Sequence, residues 1–236
     1  MFDNLKTDDT IAVESDRLGG SFLLDSNVYD MGIDLAYFDV SKGGATSLTF
    51  HFKGKNGENL RQTFWVTSGK AKGATNYYLD KDGNKQYLPG FSQANSICKL
   101  ASGKDMGDLT TEAKTIKIWN GELKKEAPTE RQVATELLGK EITLGVLRQI
   151  VNKSVKGDDN KYHDTNDSRE ENEVEKAFRA TDHLTNAEIA AGETEAVFYD
   201  KWKEKNVGNT RNKFKEVAGE AGSGSTSGGQ AKSLFA

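Results

Sequence analysis

The chain has one cysteine, two prolines and three histidines in 236 residues. The lone Cys98 excludes an internal disulfide framework and fits a reducing cytosol, so a cytoplasmic location is expected. His51, His163 and His183 lack metal-ligand spacing, and Cys98 has no partner at C-x-x-C spacing, so no metal and no cofactor is expected. There is no phosphate-binding Gly-rich loop of the G-x-x-x-x-G-K-[ST] type and no G-x-G-x-x-G after a strand. Asp80-Lys81-Asp82-Gly83-Asn84 falls short of a calcium loop, because its glycine comes too early and the closing glutamate is absent. The carboxylate pairs Asp158-Asp159 and Glu170-Glu171 stand in polar sequence with nothing to raise a pKa. No catalytic constellation remains, so the chain does not read as an enzyme. No apolar run approaches the ~20 residues needed to span a bilayer, and the N-terminus lacks a signal-peptide pattern. No membrane partner is expected.

What is present is polar and unevenly charged. Hydrophobic residues make up 35%, charged residues 29%, and the mean hydropathy is -0.69. The net charge of -4 argues against a generally basic nucleic-acid binder. The acid is concentrated, however: residues 157–200 hold 13 Asp and Glu against 4 Lys and Arg, whereas residues 1–156 hold 20 against 21. Such a block is most often a solvated face. It also suits a protein that releases nucleic acid or recruits basic partners.

The most regular pattern runs from Thr46 to Thr67. Leu48, Phe50 and Phe52 alternate with Thr49, His51 and Lys53, and Leu60, Gln62, Phe64 and Val66 alternate with Arg61, Thr63, Trp65 and Thr67. Two period-two runs joined by Gly54-Lys55-Asn56-Gly57 predict a β-hairpin with one core face and one polar, cationic, aromatic face. Val28–Val40 predicts a long strand with Tyr29, Met31, Ile33, Leu35 and Tyr37 on one face and a bulge or bend at Gly32. Two short runs around Asp80–Asn84 predict a second hairpin carrying three tyrosines. Pro89-Gly90 opens a helix over Phe91–Ala101 with Gly103 as its stop, and Asn120-Gly121 marks a hairpin turn after Thr115–Trp119. Gln132–Leu138 reads as a short helical piece, Glu141–Val155 as a bent strand, Gly157–Ser168 as a loop, and Glu171–Ala180 as a helix in preference to a strand. Thr185 caps a turn over Asn186–Ala191, and Glu193–Lys205 reads as an amphipathic helix with Val197, Phe198 and Trp202 on one side.

The expected fold is therefore mainly β with helical additions: an OB-like, partly open β-barrel with an inserted hairpin and helix, a C-terminal helix and a flexible tail. Its expected parts are an N-terminal arm over 1–20, a binding domain over 21–180, a helical segment over 181–218, and a Gly/Ser tether over 219–236.

Bases of single-stranded nucleic acid stack on exposed rings, and phosphates seek cations. Trp65, flanked by Arg61 and His51, suits a stacking platform, with Lys53, Lys55, Lys70 and Lys72 as phosphate contacts. The competing reading buries Trp65 under the C-terminal helix. Tyr77, Tyr78, Tyr87, Lys81 and Lys85 form either a flap over the same groove or, by slight preference, a surface excursion held by its own aromatics. Trp119 and Trp202 read as packing residues. Arg148 and Lys153 fall on opposite strand faces, so at most one meets a groove. Leu234 and Phe235, beside the terminal carboxylate and beyond the tether, suit docking in a partner's pocket.

A family resemblance adds to this. Asp16-Arg17-Leu18-Gly19-Gly20, Phe64-Trp65-Val66-Thr67, Leu88-Pro89-Gly90-Phe91, Leu137-Leu138-Gly139-Lys140 with Thr143–Val151, and the ending Lys232-Ser233-Leu234-Phe235 together resemble the single-stranded DNA-binding proteins of tailed bacteriophages. The resemblance implies an OB-like barrel, sequence-tolerant binding of single-stranded DNA, and a role in phage DNA replication, recombination and repair. It also implies replication or recombination proteins as partners of the tail; a homo-oligomer is left open. One departure is that the chain ends basic and apolar, with its acidic block moved inward. Two rival readings are a phage structural or assembly protein, and an inhibitor that presents the acidic 157–200 block as a DNA mimic.

Overall fold

The computed structural model describes residues 23–121, 123–159 and 161–217. The N-terminal arm, the Gly/Ser tether and the tail residues Leu234 and Phe235 lie outside the described residues. The fold is mainly β with few helices. An eight-stranded sheet carries most of the strand residues, and a two-stranded sheet stands apart.

The alternating runs become strands as the side-chain period requires. Strands β1 (Asn27–Val40), β2 (Thr46–Gly54) and β3 (Asn59–Trp65) form an antiparallel meander. Phe50 and Phe52 stack at 5.4 Å between centroids, and Phe64 meets Phe50 edge-on at 6.0 Å. Helix α1 (Pro89–Ser102) closes this core with buried Ala94, Ile97, Cys98 and Leu100. Gly103 ends the helix in the left-handed region, as expected of a glycine that must turn the chain at a C-terminus. Between β3 and α1 lies the hairpin of β4 (Tyr77–Leu79) and β5 (Lys85–Tyr87).

Strand β1 departs from simple alternation. Its pairing with β2 slips between Ile33 and Leu35, close to Gly32, so one residue is added and the later side chains change face. Met31 and Ile33 enter the main core, and after the slip Ala36 and Phe38 do so instead. Leu35 and Tyr37 turn to the opposite face, where they pack with Ile118 and Val133. Those partners come from the hairpin of β6 (Thr111–Asn120) and β7 (Lys125–Ala134), which pairs with β1 at Tyr37 and Phe38. The expected helical piece over Gln132–Leu138 is thus a strand end followed by one tight turn, Thr135–Leu137. Trp119, expected to pack, is 57% exposed, because Ile116 and Ile118 take the inward positions of β6.

Strand β8 (Glu141–Lys156) pairs with β1 and then with the short parallel β10 (Thr210–Asn212), while β9 (Tyr162–Phe178) lies along its other edge. The loop and helix expected over 157–180 are therefore one long strand. Its carboxylates disguise it, and cations from elsewhere compensate them: Glu170 pairs with Arg148, Glu173 with Lys213 and Glu175 with Arg211. A second slip lies at Gly145/Val146. Gly145 also leaves room for Trp202, whose ring carbons would stand 2.8 Å from any β-carbon placed there.

Thr185 caps α2 (Asn186–Ala191) with a reciprocal capping box to Glu188. Helix α3 (Val197–Asn206) buries Trp202 against Phe178 and Leu147, whereas Val197 and Phe198 stay largely exposed. The segment after β8 and β9 thus packs back onto the sheet and ends as a strand. Backbone hydrogen bonds close no complete barrel among the described residues. Where β9 approaches β3, the Val174 N–H donates to the Gln62 side chain at 3.2 Å.

Candidate nucleic-acid interface

The face of β2 and β3 opposite the main core carries pairs fixed by their register: Ser47 opposite Trp65, Thr49 opposite Thr63, His51 opposite Arg61, and Lys53 opposite Asn59; Ser47 and Thr49 are buried and His51 is half-buried, so only part of this face is open. The Thr49 and Thr63 hydroxyls are 2.8 Å apart and hydrogen-bonded. Arg61 donates to the Tyr37 hydroxyl at 3.2 Å, and the Tyr37 and His51 rings lie 5.9 Å apart. Tyr37 reaches this face only through the slip in β1. The uninterrupted alternation assigns it to the core, so its role in holding Arg61 was not readable; the one signal was Gly32, which marked the bend without its register.

Burial, reinforced by the Arg61 charge, lowers the His51 pKa against the opposing pull of Asp34 and Glu126. Its Nε2 is buried and has no hydrogen-bond partner among the described residues. The site therefore favours a neutral imidazole beside a fixed guanidinium.

Trp65 is 51% exposed. The C-terminal helix does not cover it; that helix spends its own tryptophan on Gly145. Trp65 instead borders an open cleft of about 870 Å³, whose walls include Thr63, Lys72, Tyr77, Tyr78 and the first turn of α1 at Pro89-Gly90. The loop between β3 and β4 supplies Lys72 through a single tight turn, Lys70–Lys72, anchored by the Lys70 N–H donating to the Gly43 carbonyl at 2.8 Å. The aliphatic stem of Lys70 lies over Gly44. In the β4–β5 hairpin the Lys85 ammonium sits 4.4 Å over the Tyr77 ring, and Tyr87 packs on Phe91 at 4.9 Å. Lys81 is in the exposed turn. There the Asp80 carboxylate accepts from the Asp82 and Asn84 N–H groups and the Gln86 amide, which holds its pKa below the usual carboxylate range. Asp80 thus organises the turn. No cluster suited to a metal ion occurs among the described residues.

The expected site residues are thus only partly assembled. Trp65, Lys72, Tyr77 and Tyr78 share one cleft, and His51 and Arg61 lie on the same sheet face. Lys53 pairs with Asp34 at 3.0 Å and Lys55 with Glu141 at 3.6 Å. Arg148 does not line the cleft: it bridges Asp25 at 3.1 Å and Glu170 at 2.6 Å, and these carboxylates raise its pKa. Lys153 is exposed farther along β8 and also does not line it. Gln93 and Glu173, which sequence reasoning passed over, border the cleft from α1 and β9. No helix among the described residues is long and apolar enough to cross a membrane. Comparison with family models, curated proteins and solved structures finds no match.

Proposed function

We propose that the protein binds single-stranded DNA without sequence preference. The observation that carries this reading is Trp65, a half-exposed indole opening into the same cleft as Tyr77, Tyr78 and Lys72. About half of the Trp65 indole is left without a packing partner. A stacked base supplies one, at ~1–3 kcal/mol per base regardless of identity. Lys72 neutralises phosphate at the cleft, with Lys85 beside it over the Tyr77 ring.

The sheet order supports an OB-like reading. β1 lies between β2 and β8, β3 follows β2, β9 follows β8, and α1 intervenes between the two halves. In such barrels the outer face of the second and third strands binds oligonucleotides, which is the face that carries His51, Arg61 and Trp65. The motif resemblance adds phage DNA replication and recombination as the setting, with protein partners recruited through the tail. The DNA-mimic reading is less well supported, because the β9 carboxylates Glu170, Glu171, Glu173 and Glu175 are engaged by the chain's own cations.

Titration with oligothymidylate at two salt concentrations tests the proposal. Tryptophan emission should be quenched, and affinity should fall as salt rises through counterion release. Trp65→Ala should lose most of the quenching and about fivefold or more in affinity while keeping its far-ultraviolet dichroism. No binding by the native protein at low salt would sink the reading.

A further inference from the structure

The cleft at Trp65 does not end at helix α1. Gln93 borders it on one side and on the other borders a second, smaller pocket of about 300 Å³ between α1, β9 and α2. The lining of this pocket is sorted by chemistry. Ile97, Val174 and Ala177 contribute buried apolar walls. Around them stand the side chains of Ser92, Gln93 and Ser96, which make no hydrogen bond among the described residues. Asn186 ties α2 to α1 by donating to the Ser96 carbonyl at 3.2 Å, which fixes one wall.

Charge follows the same division. Lys176 lines the pocket and makes no ion pair among the described residues; its ammonium rests 4.8 Å over the Phe198 ring. The neighbouring Glu175, which would repel a phosphate, is bound to Arg211 and accepts from the Trp202 indole N–H at 2.6 Å. The next carboxylate, Glu173, is paired with Lys213 at 2.7 Å. The pocket thus offers an apolar surface for a ring, unengaged donors and acceptors for its edge, and beside it one cation that makes no ion pair among the described residues, although its charge reaches the Glu188 carboxylate of α2.

We propose that this pocket is a second nucleotide subsite, in which a strand leaving the Trp65 cleft passes Gln93 and seats one base against Ile97, Val174 and Ala177 with a neighbouring phosphate on Lys176. The inference rests on the single-stranded DNA reading of the cleft. It assigns to α1 and β9 a part in binding that the β2–β3 face alone does not have. It also gives the strand a direction: from the hairpin side of the molecule toward α2.

Fluorescence anisotropy with end-labelled oligothymidylates tests it, using a tetranucleotide that covers the cleft alone and a dodecanucleotide that reaches both sites. The variants are Lys176→Gln, which removes the charge, and Ala187→Trp, which fills the pocket from an exposed position on α2. For the dodecanucleotide, both variants should bind about fivefold or more weakly than the native chain. Lys176→Gln should also lower the slope of log affinity against log salt by about 0.7, the loss of one single-strand phosphate contact. Tetranucleotide binding should be unchanged. Native-like dodecanucleotide affinity and salt slope in both variants would overturn the subsite while leaving the cleft reading intact. Equal losses for both oligonucleotides would overturn it too, because the pocket would then not be a separate stop on the strand. Failure of the native protein to bind either oligonucleotide would instead defeat the cleft reading, and the subsite with it.

Discussion

Gly90, the second residue of helix α1, stands directly against the backbone of Trp65: a β-carbon at Gly90 would collide with the Trp65 carbonyl. The first turn of the helix is thereby seated on the end of strand β3, and the height of the indole above the cleft depends on a glycine 25 positions later in the chain. Gly90→Ala gains at most ~1 kcal/mol of helix propensity. Against this it must displace backbone, at a cost of ~1–3 kcal/mol, typical of forcing atoms into a packed site. With the full propensity gain the net loss is up to ~2 kcal/mol, a fall in melting temperature of up to about 8 °C for a chain of this size, with weaker quenching by oligothymidylate because the platform moves. Thermal unfolding followed by dichroism, with the same titration, checks both. A variant as stable as the native chain would show that the helix start yields without cost.

How much of this was legible in the sequence depended on the range of the interaction. Phe50, Phe52 and Phe64 announce their strands because alternation is a local property, and Thr185 announces a helix start because capping is local too; the reciprocal bond from Glu188 is what the structure adds. The β1 slip was half legible: Gly32 marks a bend, but no residue type signals that Tyr37 changes face, since that follows from how β1 meets β2 and β7. Strand β9 read as loop and helix because its carboxylates look solvated; Arg211 and Lys213, which make the strand tenable, arrive from about 40 residues away. The exposure of Trp65 was undecidable from its own neighbourhood. It turned on which surface α3 would cover, and Gly145 settles that by accepting Trp202.

The His51 environment predicts a pH dependence of stability with a definite sign. Burial, then the Arg61 charge, lowers its folded pKa below the ordinary imidazole value of about 6.5. Below that value the unfolded chain takes up a proton that the folded chain resists, so stability is complete above it and declines as pH falls toward the folded pKa. Glu175 acts in a lower window. Burial pushes its pKa up, but the bonds from Arg211 and Trp202 outweigh this and leave it below the usual carboxylate range. Its contribution therefore persists until pH drops below about 4.3. Urea midpoints measured from pH 7.5 to 5.5 should decline in the native protein and flatten in His51→Gln. An equal decline in the variant would assign the effect to another group.

The last prediction concerns how the end of the described chain is held. Beyond β10, two side chains take over the work of a strand partner. Asn152 accepts from the Lys215 N–H at 3.0 Å and donates to the Lys215 carbonyl at 2.7 Å; Asn166 does the same for Val217 at 2.7 and 3.0 Å. Each amide thus presents one donor and one acceptor in the arrangement a neighbouring peptide unit would offer. The two come from β8 and β9, so the segment is fastened to both strands of the long hairpin. A typical hydrogen bond contributes ~0.5–1.5 kcal/mol net, and Asn166→Ala removes the pair made to Val217. Amide exchange at Val217 should therefore accelerate about fivefold or more, while Lys215, still held by Asn152, keeps most of its protection. Asn152→Ala should reverse the pattern, and the double variant should release both. Because these bonds lie at the edge of the sheet, core amides such as that of Phe50 should exchange at native rates throughout. Unchanged exchange at Val217 in Asn166→Ala would show that the segment is held by something other than these amides. Loss of protection across the whole sheet would show that the asparagines support the hairpin itself and do not merely fasten the segment to it.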